Sequence, residues 1–314
     1  MTTWWSRPLV RLVAALSLPL LVPAVITAVL WILPGDPADI ICPPEICQGG
    51  AALAHRWGLD RGPWGFYTWW LSGAVHGEFG NSWRAQQGVP VAELIAESLP
   101  ATAELVLLAL IPLTAGAALA AAKLLPQRLD PLWHAIGLAP AVILGLLGAA
   151  WIELTWGAMS HDGWPGAMRL VVGAGVLAFA DGAFAGAVSG TRSTFDEEVK
   201  QRYIAIAVLR GESALGNALP NVLPALAGQL RGRVLHVMSG AVVVEVVLGI
   251  PGLGELLFDG TLLQDFGVVL AASWAFSLLS AALMCAQALV EIGVAWAVRR
   301  HPPITEPATG RVGG

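Results

Sequence analysis

From Leu12 to Leu33 the chain carries no charged side chain. A helix of about 20 apolar residues crosses the roughly 30 Å hydrocarbon core of a bilayer. In lipid every backbone N–H and C=O must be bonded within the protein, so an unbroken apolar run of this length points to a spanning helix. The pattern recurs. Six spans are expected, at about 9–33, 100–122, 135–157, 167–190, 234–257 and 267–298. Composition agrees: 56% of the residues are hydrophobic, only 12% are charged, and mean hydropathy is +0.69. A soluble domain carries about twice that share of charge. The expected fold class is therefore an all-α integral membrane protein with six transmembrane helices.

The first run follows Arg7 and Arg11 and ends in Trp31-Ile-Leu-Pro34. It exceeds the roughly 7–15 apolar residues of a cleavable signal, so it reads as a retained first span. The fourth span is rich in Gly and Ala, which lets helices approach closely in lipid. The sixth is long enough to tilt or protrude.

Basic residues set the orientation. With the N-terminus inside, the inner side holds Arg7, Arg11, Lys123, Arg128, Arg192, Lys200, Arg202, Arg210, Arg231, Arg233, Arg299, Arg300 and Arg311. The outer side holds Arg56, Arg61, Arg84 and Arg169. Lys and Arg collect on the cytoplasmic side, so both termini are expected there. Trp31, Trp151, Trp156 and Trp164 read as outer interfacial anchors, and Trp133 and Trp296 as inner ones. The chain then divides into 1–33, a long external segment 34–99, a five-helix core 100–298 with an inner loop 191–233, and a tail 299–314.

The external segment opens with the turn signal Pro34-Gly-Asp-Pro37. Its aromatic cluster, Trp64, Phe66, Tyr67, Trp69 and Trp70, reads as a helix lying on the membrane surface, or else as a small folded cap. Val91 to Leu99 reads as a short amphipathic helix leading into the second span. Cys42 and Cys47 flank Pro-Pro-Glu-Ile in the same segment. Outside a bacterial inner membrane the surroundings are oxidising, so a disulfide is expected, with two free thiols as the alternative. Alkylation that needs prior reduction would separate the two. Cys285, in the last span, reads as core.

Several chemistries find no support. There is no G-x-x-x-x-G-K-[ST] phosphate loop, and neither lysine, Lys123 nor Lys200, stands in a Gly-rich context. There is no H-E-x-x-H, and the six histidines are scattered. No metal site or cofactor is expected. Ser189 and Ser239 near span ends, with His236, would serve a hydrolase only if they faced one watery cavity; small residues at helix ends are ordinarily packing.

Charges inside spans carry more weight, because a carboxylate at the bilayer centre costs at least ~2.5 kcal/mol. Asp181 is expected mid-span, facing either a neighbouring helix or a solute pathway. Glu245 is expected mid-span, lining a cleft just before Gly249-Ile-Pro251-Gly252-Leu-Gly254. Glu104 reads as a helix-start acid, Glu153 lies near the outer face, and Glu291 could pair with Arg299 or Arg300. These acids also leave open a proton-coupled transporter using Asp181 and Glu245.

The inner loop has its own pattern. Asp196-Glu-Glu198 puts acids where a helix begins, favoured by the dipole. A helix continuing through Gly211 would align Tyr203, Ala207 and Gly211 at four-residue spacing, a stripe that another surface could approach closely. Pro220 and Pro224 are expected to punctuate the return to the membrane.

In this context the chain resembles a family, the inner-membrane permeases of ABC importers of the dipeptide, oligopeptide and nickel class, and the first of their two permeases in particular. The matching stretches are Leu33-Pro-Gly-Asp-Pro-Ala38, Gly58-Leu-Asp-Arg61 with Tyr67 and Trp70, Gly77-Glu-Phe-Gly-Asn-Ser82, Leu94 through Glu104, and Gly240-Ala-Val-Val-Val-Glu245 through Gly254. The resemblance implies a type I permease-like fold with a long periplasmic segment after the first span. It implies a conduit rather than an enzyme, paired with a second homologous permease subunit, driven by two cytoplasmic ATP-binding subunits and fed by a periplasmic solute-binding protein. No nucleic acid is implied. Tyr203, Ala207 and Gly211 match the family's ATPase-coupling motif, within 203–224, and Gly249, Pro251, Gly252 and Gly254 its periplasmic turn. Two departures stand out. The loop from Gly211 to Pro224 is shorter than the family's, and Gly216 and Pro220 are expected to weaken a helix there. A diverged subunit with a structural, non-transporting role is the alternative.

Overall fold

The computed structural model describes residues 6–32, 38–39, 50–156 and 163–300. Cys42, Cys47, the Pro34–Pro37 turn and the tail beyond Arg300 lie outside the described residues, so the expected disulfide is not addressed. Among the described residues regular structure is helical, apart from one isolated bridge between Asn81 and Pro90.

In chain order the helices are α1 (Ser6–Ile32), α2 (Gly50–Arg56), α3 (Gly62–Ala74), α4 (Val91–Ala121), α5 (Asp130–Gly137), α6 (Ala141–Trp156), α7 (Gly163–Phe179), α8 (Ala183–Val199), α9 (Arg202–Leu209), α10 (Ala214–Leu248), α11 (Leu253–Leu262) and α12 (Phe266–Arg300). Four stretches are long and apolar enough to cross a membrane unaided: Leu12–Ile32, Val91–Ala121, Gly166–Val199 and Phe266–Val294. Two helix pairs are long and apolar enough only when taken together, the segment Gln127–Gly137 with α6 at 86° and α10 with α11 at 69°, so the described residues hold four such spans, or up to six if each bent pair is one span.

Several span boundaries differ from expectation. Val91–Leu99 is no separate helix but the first turns of α4, which continues through Pro100 and Pro112. The third span does not run straight from 135, because Pro140 lacks an N–H and disfavours helical geometry at Ala139. The fourth is interrupted at Asp181. The fifth begins at Ala214, passes through Pro220 and Pro224, and ends at Leu248 before the glycine turn. The two prolines leave the carbonyls of Gly216 and Pro220 without helical donors. Gly216 is exposed and Pro220 half-buried, so water can serve them and the helix survives. At 35 residues, α10 is about 52 Å long at 1.5 Å per residue, well beyond the bilayer core.

Three apolar clusters organise the bundle. The largest joins Leu105 and Leu113 of α4, Ile152 of α6, Leu177 of α7, Phe184 of α8 and Val237 and Leu248 of α10. At the expected outer end, Leu30, Phe66, Trp70, Leu94, Leu253 and Leu270 bring together α1, α3, α4, α11 and α12. At the opposite end, the expected inner one, Phe195, Ile204, Ala218 and Val222 join α8, α9 and α10.

Helix α3 is packed rather than laid on a surface. Phe66, Tyr67, Trp70 and Ala74 are buried, and the Tyr67 hydroxyl donates to the Leu20 carbonyl of α1 at 2.9 Å. Only its far edge, with Trp64 73% exposed, is free of the bundle. Leu20 lies twelve residues before the end of α1, about 18 Å down the helix at 1.5 Å per residue. Trp133 is not an anchor either: it packs on Phe179 and Phe184, with ring centroids at 6.1 and 5.1 Å. Arg169, counted among the basic residues of the outer side, is buried in α7 and donates to the Leu248 carbonyl at 2.5 Å. A cation there satisfies the last turn of α10 and opposes its dipole.

Candidate functional site

The inner hairpin α8–α9–α10 is the candidate site for contact with a partner. Its core follows helical spacing. Ile204 and Ala207, three apart on α9, are each 1% exposed, and Ile204 packs with Phe195, Ala218 and Val222. Polar groups then lock the three helices together. The Tyr203 hydroxyl donates to Glu198 Oε1. The Asn221 amide donates to the same oxygen at 2.7 Å and to the Tyr203 oxygen at 2.6 Å. Burial, and then the hydrogen bond to Glu198, push the Tyr203 phenol up to about 12.

The expected stripe is divided by this arrangement. Tyr203 and Ala207 face the protein. Gly211 does not continue the helix but ends it, at φ 81°. Its N–H donates to Val208 O at 2.9 Å and the Glu212 N–H to Ala207 O at 3.0 Å, the double closure of a Schellman motif. Glycine enters this left-handed position without the penalty a Cβ would bring. The surface open to a partner is the opposite side of α9, where Ile206 is 52%, Val208 49% and Leu209 88% exposed, continued by Leu215 and Leu219 of α10. The signal was present in the sequence: α9 is apolar on both faces, more than one buried face requires.

Asp181 is not inside a continuous span. It sits at the break between α7 and α8 with φ 53° and ψ 23°, its side chain exposed, and its N–H donates to Ala139 O at 3.3 Å. Asp tolerates the left-handed region better than most residues. The contact brings the break in the fourth span against the break in the third.

Glu245 lines no cleft. It is 0% exposed, and its Oε2 accepts the Gly254 N–H at 2.6 Å. Thr102 Oγ1 of α4 accepts the neighbouring Leu253 N–H at 2.7 Å. Both acceptors therefore cap the first turn of α11, whose N–H groups have no helical partners. Gly249 turns the chain at φ 58°, with Pro251 following in the turn. Gly252 makes room for the cap: a Cβ there would lie 2.4 Å from Glu245 Oε2 and 2.7 Å from Thr102 Oγ1. Asp181, the other residue expected on the pathway, is not part of this arrangement. Glu291 accepts from Gln287 Nε2 at 2.5 Å.

One residue that sequence reasoning passed over is Asp265, 0% exposed at the start of α12. Its Oδ2 accepts from Ser82 Oγ at 2.6 Å and from the N–H groups of Trp83, Arg84 and Ala85 at 2.8, 2.9 and 3.0 Å. Its Oδ1 accepts the Val268 N–H at 3.2 Å. The Gly77–Ser82 motif thus ends in a loop wrapped around a carboxylate from the far end of the chain. Among the described residues no group of His, Cys, Asp and Glu could hold a metal ion.

Residues 110–295 match the family described as "Binding-protein-dependent transport system inner membrane component". Over 285 residues the chain is 28% identical to the glutathione transport system permease protein GsiC of Escherichia coli (strain K12), covering 85% of this chain and 90% of that protein. Identity is also 28%, over 286 residues, to GsiC of Salmonella paratyphi A, with the same coverage. The apolar bundle, its inner helical hairpin and these likenesses lead to one conclusion: the chain belongs to the inner-membrane components of binding-protein-dependent transport systems and is a permease subunit of an ABC importer.

Proposed function

We propose that this permease forms half of a translocation pathway for small peptides or a similar solute, and that the loop 203–224 couples it to cytoplasmic ATPases. The observation that carries the coupling is the uncovered apolar face of Ile206, Val208 and Leu209 on a helix held rigidly from behind. Water-exposed leucines in such a patch are expected to mark an interface. The patch lies at the end bearing Arg192, Arg202 and Arg210, in keeping with a cytoplasmic site and cytoplasmic termini. The sequence has no phosphate loop, so ATP hydrolysis is assigned to partner chains, two of them, with a second homologous permease and a periplasmic binding protein completing the importer. A peptide-like solute is in keeping with the glutathione named for the relatives.

Within this reading Ala207 and Tyr203 position the docking helix, Gly211 ends it, and Leu209 makes the contact. The residues Gly249 to Gly254 and Glu245 brace the pathway at its outer end rather than line it. Co-purification of the tagged chain from native membrane tests the assignment. Two Walker-motif ATPases and a second permease are expected with the native chain, and loss of the ATPases alone with Leu209→Asp. Undiminished ATPase recovery with that variant would remove α9 as the coupling helix.

A further inference from the structure

A cavity of about 450 Å³ lies at the outer end, between α3, the loop after it and α12. It belongs neither to the expected pathway nor to the coupling hairpin. Its walls are aromatic: Trp57 and Trp83 stack at 4.4 Å and 10°, and Trp70 and Phe79 lie 6.4 Å apart. Ser72, His76, Glu78 and Asn81 interrupt that wall, the Ser72 hydroxyl already donating to the Trp69 carbonyl at 2.6 Å, and no Lys or Arg among the described residues lines it.

His76 and Glu78 offer hydrogen-bond acceptors. His76 Nδ1 is 2.7 Å from the Ser72 carbonyl, which can only accept, so Nδ1 carries the hydrogen and Nε2 of the neutral ring is an acceptor. The Glu78 backbone is pinned to the end of α3, its N–H donating to Gly73 O at 2.9 Å, and Gly73 has no Cβ because one would lie 2.7 Å from Glu78 O. The Glu78 carboxylate has no partner among the described residues. Trp70, 5% exposed, has its indole N–H buried without a partner. Arg61 already lies over the Trp69 ring at 5.4 Å, which assigns that ring to a cation of the protein itself.

We propose that this cavity binds a protonated primary amine joined to an apolar body. Aromatic faces attract a cation, and the attraction grows on desolvation. Three ammonium N–H donors match the Glu78 carboxylate and His76 Nε2, whereas a quaternary ammonium could use only the ring faces. An ethanolamine phosphate headgroup and a soluble aminoacyl compound both have this chemistry. The first is reachable because α3 packs beside the membrane-spanning α1.

The test uses the full chain in phosphatidylglycerol nanodiscs, with phenethylamine, its N-trimethylated counterpart and neutral 2-phenylethanol as probes, read by calorimetry. Saturable binding of phenethylamine is expected, with the trimethylated and neutral probes each weaker by about fivefold or more, and Glu78→Gln weakening the amine by about tenfold. Adding phosphatidylethanolamine to the nanodisc distinguishes the sources. A weaker apparent affinity identifies the headgroup as occupant, and an unchanged one identifies a soluble amine. Trp57→Ala should abolish binding; Glu78 is exposed, so its variant folds even where loss of the tryptophan stack does not. No saturable binding, equal binding of all three probes, or full affinity in Glu78→Gln would overturn the proposal.

Discussion

The two ends of the bundle are each held by a carboxylate, and the contrast between them is instructive. At the outer end Asp265 is fully buried and collects five donors, four of them backbone N–H groups. At the inner end Glu198 collects a phenol and an amide, both side chains, in a half-buried setting. Backbone donors are fixed by the fold, so the outer end is locked with little freedom to rearrange. Side-chain donors keep rotamer freedom, so the inner end is tied together yet adjustable. Apolar residues are exposed at both ends, Trp64 at 73% at the outer one and Leu209 at 88% at the inner one, but at the inner end they gather on one short helix, where Ile206 and Val208 are also about half exposed. A carboxylate fixed by backbone donors at one end, and an adjustable polar triad behind an exposed apolar helix face at the other, give the two ends different freedom to move.

The largest expected effect tests the lock. Asp265→Ala strands several buried donors at about 1–3 kcal/mol each, so it should cost several kcal/mol and lower the unfolding temperature in detergent most of all. A shift no larger than that of a surface variant would show that the outer carboxylate is dispensable. Next comes Gly252→Ala, whose methyl must displace the Glu245 cap; overpacking of this kind costs about 1–3 kcal/mol, measurable by the same thermal scan.

A smaller loss, about 1–2 kcal/mol, is expected for Tyr203→Phe, which removes both hydrogen bonds of the phenol, the one it donates to Glu198 and the one it accepts from Asn221. Here pH gives a second readout. The phenol titrates near 10 when unfolded and about 12 when folded, so its contribution is complete below pH 10 and fades as pH rises towards 12. Tyrosinate absorbance follows this directly in a Tyr67→Phe background, because the chain has only two tyrosines. Ionisation at the ordinary value would mean that the triad does not hold in solution. The smallest effect on stability belongs to Leu209→Asp, within about 0.5 kcal/mol, since the residue touches little of its own chain. If that change instead unfolds the hairpin, Leu209 belongs to the packing that holds the inner end, and the contrast drawn between the two ends fails.

How much of this was legible beforehand varies by residue. The all-helical, membrane-spanning class was, because lipid leaves a backbone no option but internal hydrogen bonding, and four of the expected spans are each long and apolar enough to cross unaided. The boundary at Pro140 was missed because apolar content continues across the break, and hydropathy does not register a missing N–H. Ala207 and Gly211 were read as one stripe because four-residue spacing is visible in a string, while the left-handed φ that ends α9 at Gly211 is not. Glu245 looked like a costly charge in lipid because its acceptor role depends on N–H groups nine residues later, after a 69° bend.

The sequence by itself determined that this chain crosses a membrane several times, that its basic residues favour one side, and which family its motifs resemble. Those properties are sums over local composition and survive any detail of packing. Only the tertiary structure decided what each buried charge does. Asp265 meets a loop some 180 residues earlier, and Arg169 meets a carbonyl 79 residues later. A polar group in an apolar bundle takes whichever partner the helices bring within about 3 Å. That choice belongs to helix packing, which no single stretch of the chain contains.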